Sequence, residues 1–92
     1  MIQSFRCKHT KKLWEEGKSS RFRSIENVAF RRLLQLHASE SLADLRMPPG
    51  NRLEQLSGDR AGQYSIRING QMRVCFSWSP SGPRNVEIID YH

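Results

Sequence analysis

Gln63-Tyr64-Ser65-Ile66-Arg67-Ile68-Asn69-Gly70-Gln71-Met72-Arg73-Val74-Cys75-Phe76 is the stretch from which the rest of the chain is read. Apolar and polar residues alternate on both sides of an Asn-Gly turn, the period of two half-buried strands joined as a hairpin. Two registers are open. A two-residue loop on Asn69-Gly70 sets Ile66 beside Arg73, and Arg67 beside Met72 and Val74, which mixes charge into the apolar face. A three-residue loop over 69–71 aligns Tyr64, Ile66 and Ile68 with Phe76, Val74 and Met72. Ser65, Arg67, Arg73 and Cys75 then share the opposite face. A one-residue slip turns every side chain over, so the clean separation favours the three-residue loop. It also sets two arginines cross-strand, which costs stability unless an anion or an acid lies between them. The plain alternative is that both splay into solvent, or that Glu87 neutralises one.

The last strand is read over 85–91. Pairing Val86 with Trp78, Ile88 with Phe76 and Asp90 with Val74 extends the apolar face. Glu87, Ile89 and Tyr91 then join the polar face, Tyr91 opposite Arg73 and His92 just beyond. Two cations, a phenol and an imidazole suit a phosphodiester. The chemistry they fit is RNA cleavage by the 2′-hydroxyl, which needs a base, an acid for the leaving 5′-oxygen and cations for the phosphoryl oxygens, and requires no metal. His92 is the candidate acid, since an imidazole titrates near neutrality. Tyr91 is read as orienting or stacking a nucleotide, because a phenol ionises only near pH 10. The ordinary reading of a terminal histidine is a frayed surface residue.

Working outward, 52–56 reads as a short strand and Gly58-Asp59-Arg60-Ala61-Gly62 as turn chemistry with a basic tip. Pro48-Pro49-Gly50 stops any helix and forces an extended link, a seam between helical and strand halves. Upstream, Ser24 is a candidate N-cap for a helix over 25–37, with Glu26 in its first turn. Ile25, Val28, Ala29, Leu33 and Leu36 recur at helical spacing, with Phe30 and Leu34 widening the stripe and Arg31 and Arg32 on the other side. His37 is placed to meet the helix dipole. One more helical turn is expected over 41–45. The alternation Ile2-Gln3-Ser4-Phe5-Arg6-Cys7 indicates a strand. Thr10 is the candidate cap of a helix over 11–16 that Gly17 closes. Lys18, Arg21 and Arg23 form a basic connection that either lies on a partner or is solvated, and the solvated case is the commoner. The order of strand, two helices and an antiparallel meander indicates an α+β fold of one domain over 1–92, its helices packed on one face of the sheet.

Composition narrows the function. Ninety-two residues suffice for one two-layer core. A formal charge of +6 predicts attraction to polyanions, nucleic acid above all, with an acidic protein partner or solubility alone as the bland readings. No apolar run approaches the ~20 residues of a membrane span, and no signal-peptide pattern is visible at the N-terminus, so a cytoplasmic protein is expected. Cys7 and Cys75 have no second Cys or His at metal spacing and read as reduced, half-buried fillers. Neither metal nor cofactor is called for.

Pro48-Pro49-Gly50-Asn51-Arg52-Leu53-Glu54, Gly58-Asp59-Arg60-Ala61-Gly62-Gln63-Tyr64-Ser65-Ile66-Arg67, Met72-Arg73-Val74-Cys75-Phe76 and Val86-Glu87-Ile88-Ile89-Asp90-Tyr91-His92 together resemble the HigB toxins of type II toxin–antitoxin modules, in the RelE/ParE superfamily. The Ser4-Phe5 start agrees, so the resemblance spans essentially the whole chain. It implies a RelE-like two-layer fold and a bacterial, ribosome-dependent endonuclease that cleaves mRNA codons in the A site of the small subunit. It also implies inhibition by a HigA-type helix-turn-helix antitoxin, through which alone operator DNA is bound. Arg73 matches the family's strand arginine near the scissile phosphate, and Asp90, Tyr91 and His92 match its terminal cluster. Arg67 joins them as a second phosphate cation, and Arg52, Arg60 and Glu54 are the candidate RNA contacts. Some relatives carry histidine at the position of Glu54 and lysine at that of Ser57, and an aromatic residue is common at that of Met72. Two other functions fit the same fold class: a gyrase poison of the ParE branch, and a basic RNA-binding module without chemistry. Neither gives Asp90-Tyr91-His92 a role.

Overall fold

The computed structural model describes residues 1–90, so Tyr91 and His92 lie outside the described residues. Among these, two α-helices, α1 (Lys8–Glu16) and α2 (Glu26–Ala38), cover one face of an antiparallel sheet in the order β1 (Glu54–Gln55), β2 (Gln63–Arg67), β3 (Met72–Ser79) and β4 (Gly82–Asp90). The α+β architecture expected from the element order is thus present. Leu13 of α1 and Ala29, Leu33 and Leu36 of α2 pack with Ile66, Ile68, Val74, Phe76, Val86 and Ile88 of the sheet in one core.

The β2–β3 hairpin has the three-residue-loop register. Tyr64 pairs with Phe76, Ile66 with Val74 and Arg67 with Arg73. Asn69 sets the loop, its Oδ1 accepting the Gln71 and Met72 backbone N–H groups at 2.8 and 2.7 Å.

The β3–β4 register differs from expectation by two residues. Ile88 pairs with Val74, Ile89 with Arg73 and Asp90 with Met72, so Ile89 stands opposite Arg73. The cause is the turn. The Pro/Gly/Ser stretch expected to be a loop closes tightly, with Ser79 already paired to Gly82 and Trp78 to Pro83. Pro83 is tolerated because β4 is an edge strand. A register shift lies between Cys75 and Ser77, where Asn85 on β4 takes φ +54°, a left-handed conformation that asparagine tolerates. An even shift preserves the faces, so the apolar side remains apolar.

Local expectations are corrected in the helical layer. α1 begins three residues earlier than expected, with Cys7 as N-cap. Thr10 is therefore not a cap. It is buried inside the helix, and its Oγ1 accepts the Ile88 N–H of β4 at 3.0 Å. Gly17 does close α1, at φ +77°. Ser24 does not cap α2, because a 3-10 segment, Ser20–Ile25, runs directly into it and leaves Ile25 at the cap position. His37 acts as an acceptor, its Nδ1 taking the Ile2 N–H at 3.2 Å. Leu34 is exposed, at 46 %, instead of widening the buried stripe. The 41–45 turn forms as a 3-10 segment, Leu42–Arg46, with a Ser41/Asp44 capping box. Pro49–Asn51 is a 3-10 turn and not an extended link. The strand expected over 2–7 is reduced to one parallel bridge, Phe5 to Val86, although Gln3, Ser4 and Arg6 add backbone hydrogen bonds to β4.

Candidate active site

Arg73 sits near the hairpin end of the inner strand β3, on the face away from the helices, only 7 % exposed. A buried guanidinium needs partners for its fixed fork of donors. Its Nε donates to Ser65 Oγ at 2.7 Å and its Nη2 to the Arg52 carbonyl at 2.6 Å. Its Nη1 lies 3.6 Å from Glu54 Oε1. Three different directions are thereby restrained, and the cation is held in one orientation before any ligand arrives.

The Arg52 carbonyl reaches Arg73 because Arg52 adopts φ +45°, ψ +59° at the end of the Pro49–Asn51 turn. Asn51, wholly buried, steadies that turn. Its Nδ2 donates to Gln35 Oε1 at 2.9 Å and to the Leu45 carbonyl at 3.2 Å, which joins the Pro49–Asn51 turn to α2 and to the Leu42–Arg46 turn. The cis peptide at Met47-Pro48 lies in the same corner.

Arg52, Glu54, Arg67, Asn69, Gly70 and Arg73 line a cleft of about 250 Å³. Arg67 stands directly across from Arg73 and donates its Nε to the Asn69 carbonyl at 3.0 Å. Three guanidiniums face one carboxylate there, and Glu54, its side chain 49 % exposed, is the acid that offsets them. Glu87 does not. It is held by Arg60 at 3.2 Å and Arg6 at 3.6 Å, so Glu54, and not Glu87 as the sequence reading offered, is the acid beside Arg73.

Of the residues read from the sequence as site candidates, the structure gathers Arg52, Glu54, Arg67 and Arg73 at the cleft. Arg60 is not among its lining residues and is bound to Gln63 and Glu87. Asp90 lies at the loop end of the sheet, where Gln71 Nε2 donates to its Oδ2 at 2.8 Å. Tyr91 and His92, with the expected pairing of Tyr91 and Arg73, fall outside the described residues.

Three contributors escaped the sequence reading. Ser65 and Asn51 are small polar residues with no motif of their own. Arg32, expected on the outer side of α2, instead turns to the end of the sheet and donates its Nε to the Arg67 carbonyl at 2.8 Å. Burial, and then the neighbouring Arg31, lower its guanidinium from the ordinary value. Its signal was present, since Val28 and Leu36 lie four residues to either side and place it on the core-facing stripe. Behind Arg73, Cys75 is fully buried, and that burial pushes its thiol up to about 11. Among the described residues no group of His, Cys, Asp and Glu is arranged to hold a metal, and no helix is long and apolar enough to cross a membrane.

A restrained arginine thus stands beside two others in a polar cleft, an arrangement with the donors and the charge to hold an anion. Comparison with known proteins places the chain in a family. The model of the HigB-like toxin family, described as RelE-like toxins of the type II toxin–antitoxin system HigB, matches residues 3–92. The chain is 44 % identical over 80 residues to Toxin HigB-1 of Vibrio cholerae serotype O1, covering 85 % of this chain and 84 % of that protein. It is 36 % identical over 69 residues to an uncharacterized protein of Haemophilus influenzae, covering 75 % and 67 % respectively. On the strength of a match that runs through the cleft residues and nearly the whole chain, this protein belongs to the HigB-like toxin family of type II toxin–antitoxin systems.

Proposed function

We propose that the protein is a ribosome-dependent endoribonuclease that cleaves mRNA in the A site of the small subunit and so inhibits translation. The observation that carries this reading is the restrained Arg73 on the wall of a cleft shared with Arg52 and Arg67. Cations fixed in advance stabilise charge that develops on phosphoryl oxygens without reorganising during the reaction.

In this reading the scissile phosphate lies against Arg73 and Arg67. The 2′-oxygen gives its proton to a base at the cleft and attacks phosphorus, a P–O2′ bond forms and the P–O5′ bond breaks. The products are a 2′,3′-cyclic phosphate and a 5′-hydroxyl. His92 gives the leaving 5′-oxygen its proton, and Tyr91 orients or stacks the nucleotide. Asp90, beside Gln71 on the cleft's loop, completes the terminal cluster. Arg52 and Glu54 contact RNA at the cleft, and Arg60 contacts it outside. No metal takes part in the steps. The partners are the ribosome with its mRNA and a HigA-type helix-turn-helix antitoxin, through which operator DNA is engaged. The setting is the bacterial cytoplasm.

Primer extension on a defined mRNA translated by purified ribosomes tests this, comparing the wild type with Arg73→Ala. Cleavage within codons, seen only with ribosomes and reduced at least roughly 100-fold in the variant, is expected from the loss of one preorganised donor group. Intact mRNA together with replication arrest would replace the reading with a gyrase poison. Intact mRNA with salt-sensitive ribosome binding would reduce it to a binding module.

A further inference from the structure

We propose that Asn51 is a positioning residue for the cleft: its buried amide holds Arg52 in a left-handed conformation, and the Arg52 carbonyl in turn orients Arg73. The inference rests on the nuclease reading above and adds to it a residue that does not line the cleft.

The starting observation is backbone strain. Arg52 stands at φ +45° and ψ +59°, a region that a residue with a Cβ enters only at a cost. Glycine enters it freely, yet Gly50, two residues earlier, has no positive φ and the left-handed position falls on an arginine. Strain of this kind persists where the surroundings over-determine it, and it gathers at sites that use it. Its product here is the direction of one carbonyl, which accepts Arg73 Nη2 at 2.6 Å. An extended Arg52 would turn that carbonyl away and leave Nη2 with the Ser65 carbonyl at 3.5 Å.

The turn before Arg52 closes on its own bonds. Asn51 N–H donates to the Pro48 carbonyl at 3.0 Å and Arg52 N–H to the Pro49 carbonyl at 3.1 Å. Those bonds shape the turn but do not fix where it stands on the protein. The Asn51 side chain does that, its Nδ2 sharing two protons among Gln35 Oε1 at 2.9 Å and the Leu45 and Met47 carbonyls, both at 3.2 Å. Gln35, on α2, donates its own Nε2 to the same Met47 carbonyl. Asn51 Oδ1, by contrast, is buried with no hydrogen-bond partner among the described residues. An orphan oxygen makes asparagine a poor core filler, so its use at this position lies in its donors.

A cation stabilises charge developing on a phosphoryl oxygen only if it is already aimed there. The Arg52 side chain also lines the cleft, so one backbone conformation sets two of its cations.

The test compares wild type with Asn51→Leu, and Arg52→Gly with Arg52→Val, in the full chain, with folding checked by circular dichroism. Both Arg52 variants lose the guanidinium, but only glycine keeps the left-handed backbone without strain. Two readouts are taken: hydrogen exchange of the Arg73 guanidinium N–H groups by NMR, and kcat and KM for ribosome-dependent cleavage. Asn51→Leu against wild type, and Arg52→Val against Arg52→Gly, should each show Arg73 exchange at least ten-fold faster. Each kcat should fall about 10–100-fold with KM changed less than about three-fold, as a displacement of roughly 1 Å can produce. A role in stability alone would lower the melting temperature and leave both readouts of the folded protein unchanged. That result overturns the proposal, as does equal behaviour of Arg52→Gly and Arg52→Val. If Asn51→Leu does not fold, Gln35→Leu, at a half-buried position of α2, removes one acceptor and the Met47 tether, and the same readouts decide. Faster Arg73 exchange in the variants of a protein that leaves mRNA intact would uphold the positioning of Arg73 and sink the nuclease reading instead.

Discussion

Arg73 is a charged residue that the fold treats as part of its interior. Its three restraints, Ser65 Oγ, the Arg52 carbonyl and Glu54, come from β2, the turn before β1 and β1 itself, so the cation's orientation reports whether that end of the sheet is assembled. Its neighbour on the same strand face, Cys75, is buried as well. Desolvation disfavours the thiolate and raises the thiol from 9.0 to about 11. The folded chain therefore keeps the Cys75 proton over a pH range in which the unfolded chain releases it. Bound protons are then more numerous in the folded state, so stability is fully present below about pH 9 and falls as pH rises toward 11. The measurement is the difference in urea midpoint between wild type and Cys75→Ala at pH 8 and at pH 10.5, which should narrow at the higher pH. A thiol reagent at pH 8 should leave Cys75 unmodified until the protein is denatured.

In the proposed function, the β2–β3 hairpin sets stability against activity. Arg67 and Arg73 are direct cross-strand partners, and like charges in that position are unfavourable by a few tenths to about 1 kcal/mol. Glu54 offsets Arg73, and Arg67 ties its guanidinium back to the Asn69 carbonyl. Arg67→Thr removes the repulsion and supplies a residue favoured in strands. Thermal denaturation should show a melting temperature equal to or a few degrees above the wild type, while ribosome-dependent cleavage falls about ten-fold or more. A clear loss of stability would mean that the Arg67 side chain holds the hairpin loop, which would contradict its assignment as a phosphate cation.

At the scale of the molecule, the outer edge of β4 is closed by parts of the chain nearly its whole length away. Val86 N–H donates to the Ser4 carbonyl, Arg6 N–H to the Val86 carbonyl, and Ile88 N–H to Thr10 Oγ1. An open edge strand invites pairing with other chains, and this covering prevents it. Thr10 also joins the helical layer to the sheet through a fully buried bond. Thr10→Val keeps the shape but leaves the Ile88 N–H without its acceptor, at a cost of about 1–3 kcal/mol. Urea denaturation is the check, and a change under about 0.5 kcal/mol would show that the bond contributes little. The cleft, on the other face, should keep its activity in the folded fraction.

Much of this was legible in the residues themselves. Alternation around Asn69-Gly70 determined the hairpin, its register and the cross-strand Arg67/Arg73 pair, because a one-residue slip would have put charge in the core. Gly17, Glu26 and the Ala29/Leu33/Leu36 stripe likewise located the helices within a few residues. What could not be read were properties held by partners remote in sequence. The β3–β4 register depended on a tight turn and on Asn85 in a left-handed conformation, neither of which alters the hydrophobic pattern. Thr10, His37, Ser65 and Asn51 have ordinary local roles available to them, and only contacts spanning from 8 to 78 residues assigned them to the sheet, the N-terminal segment and the arginine site. Periodicity reports which face a residue takes. Which group meets it there is decided by the packing of whole elements, and so by the tertiary structure alone.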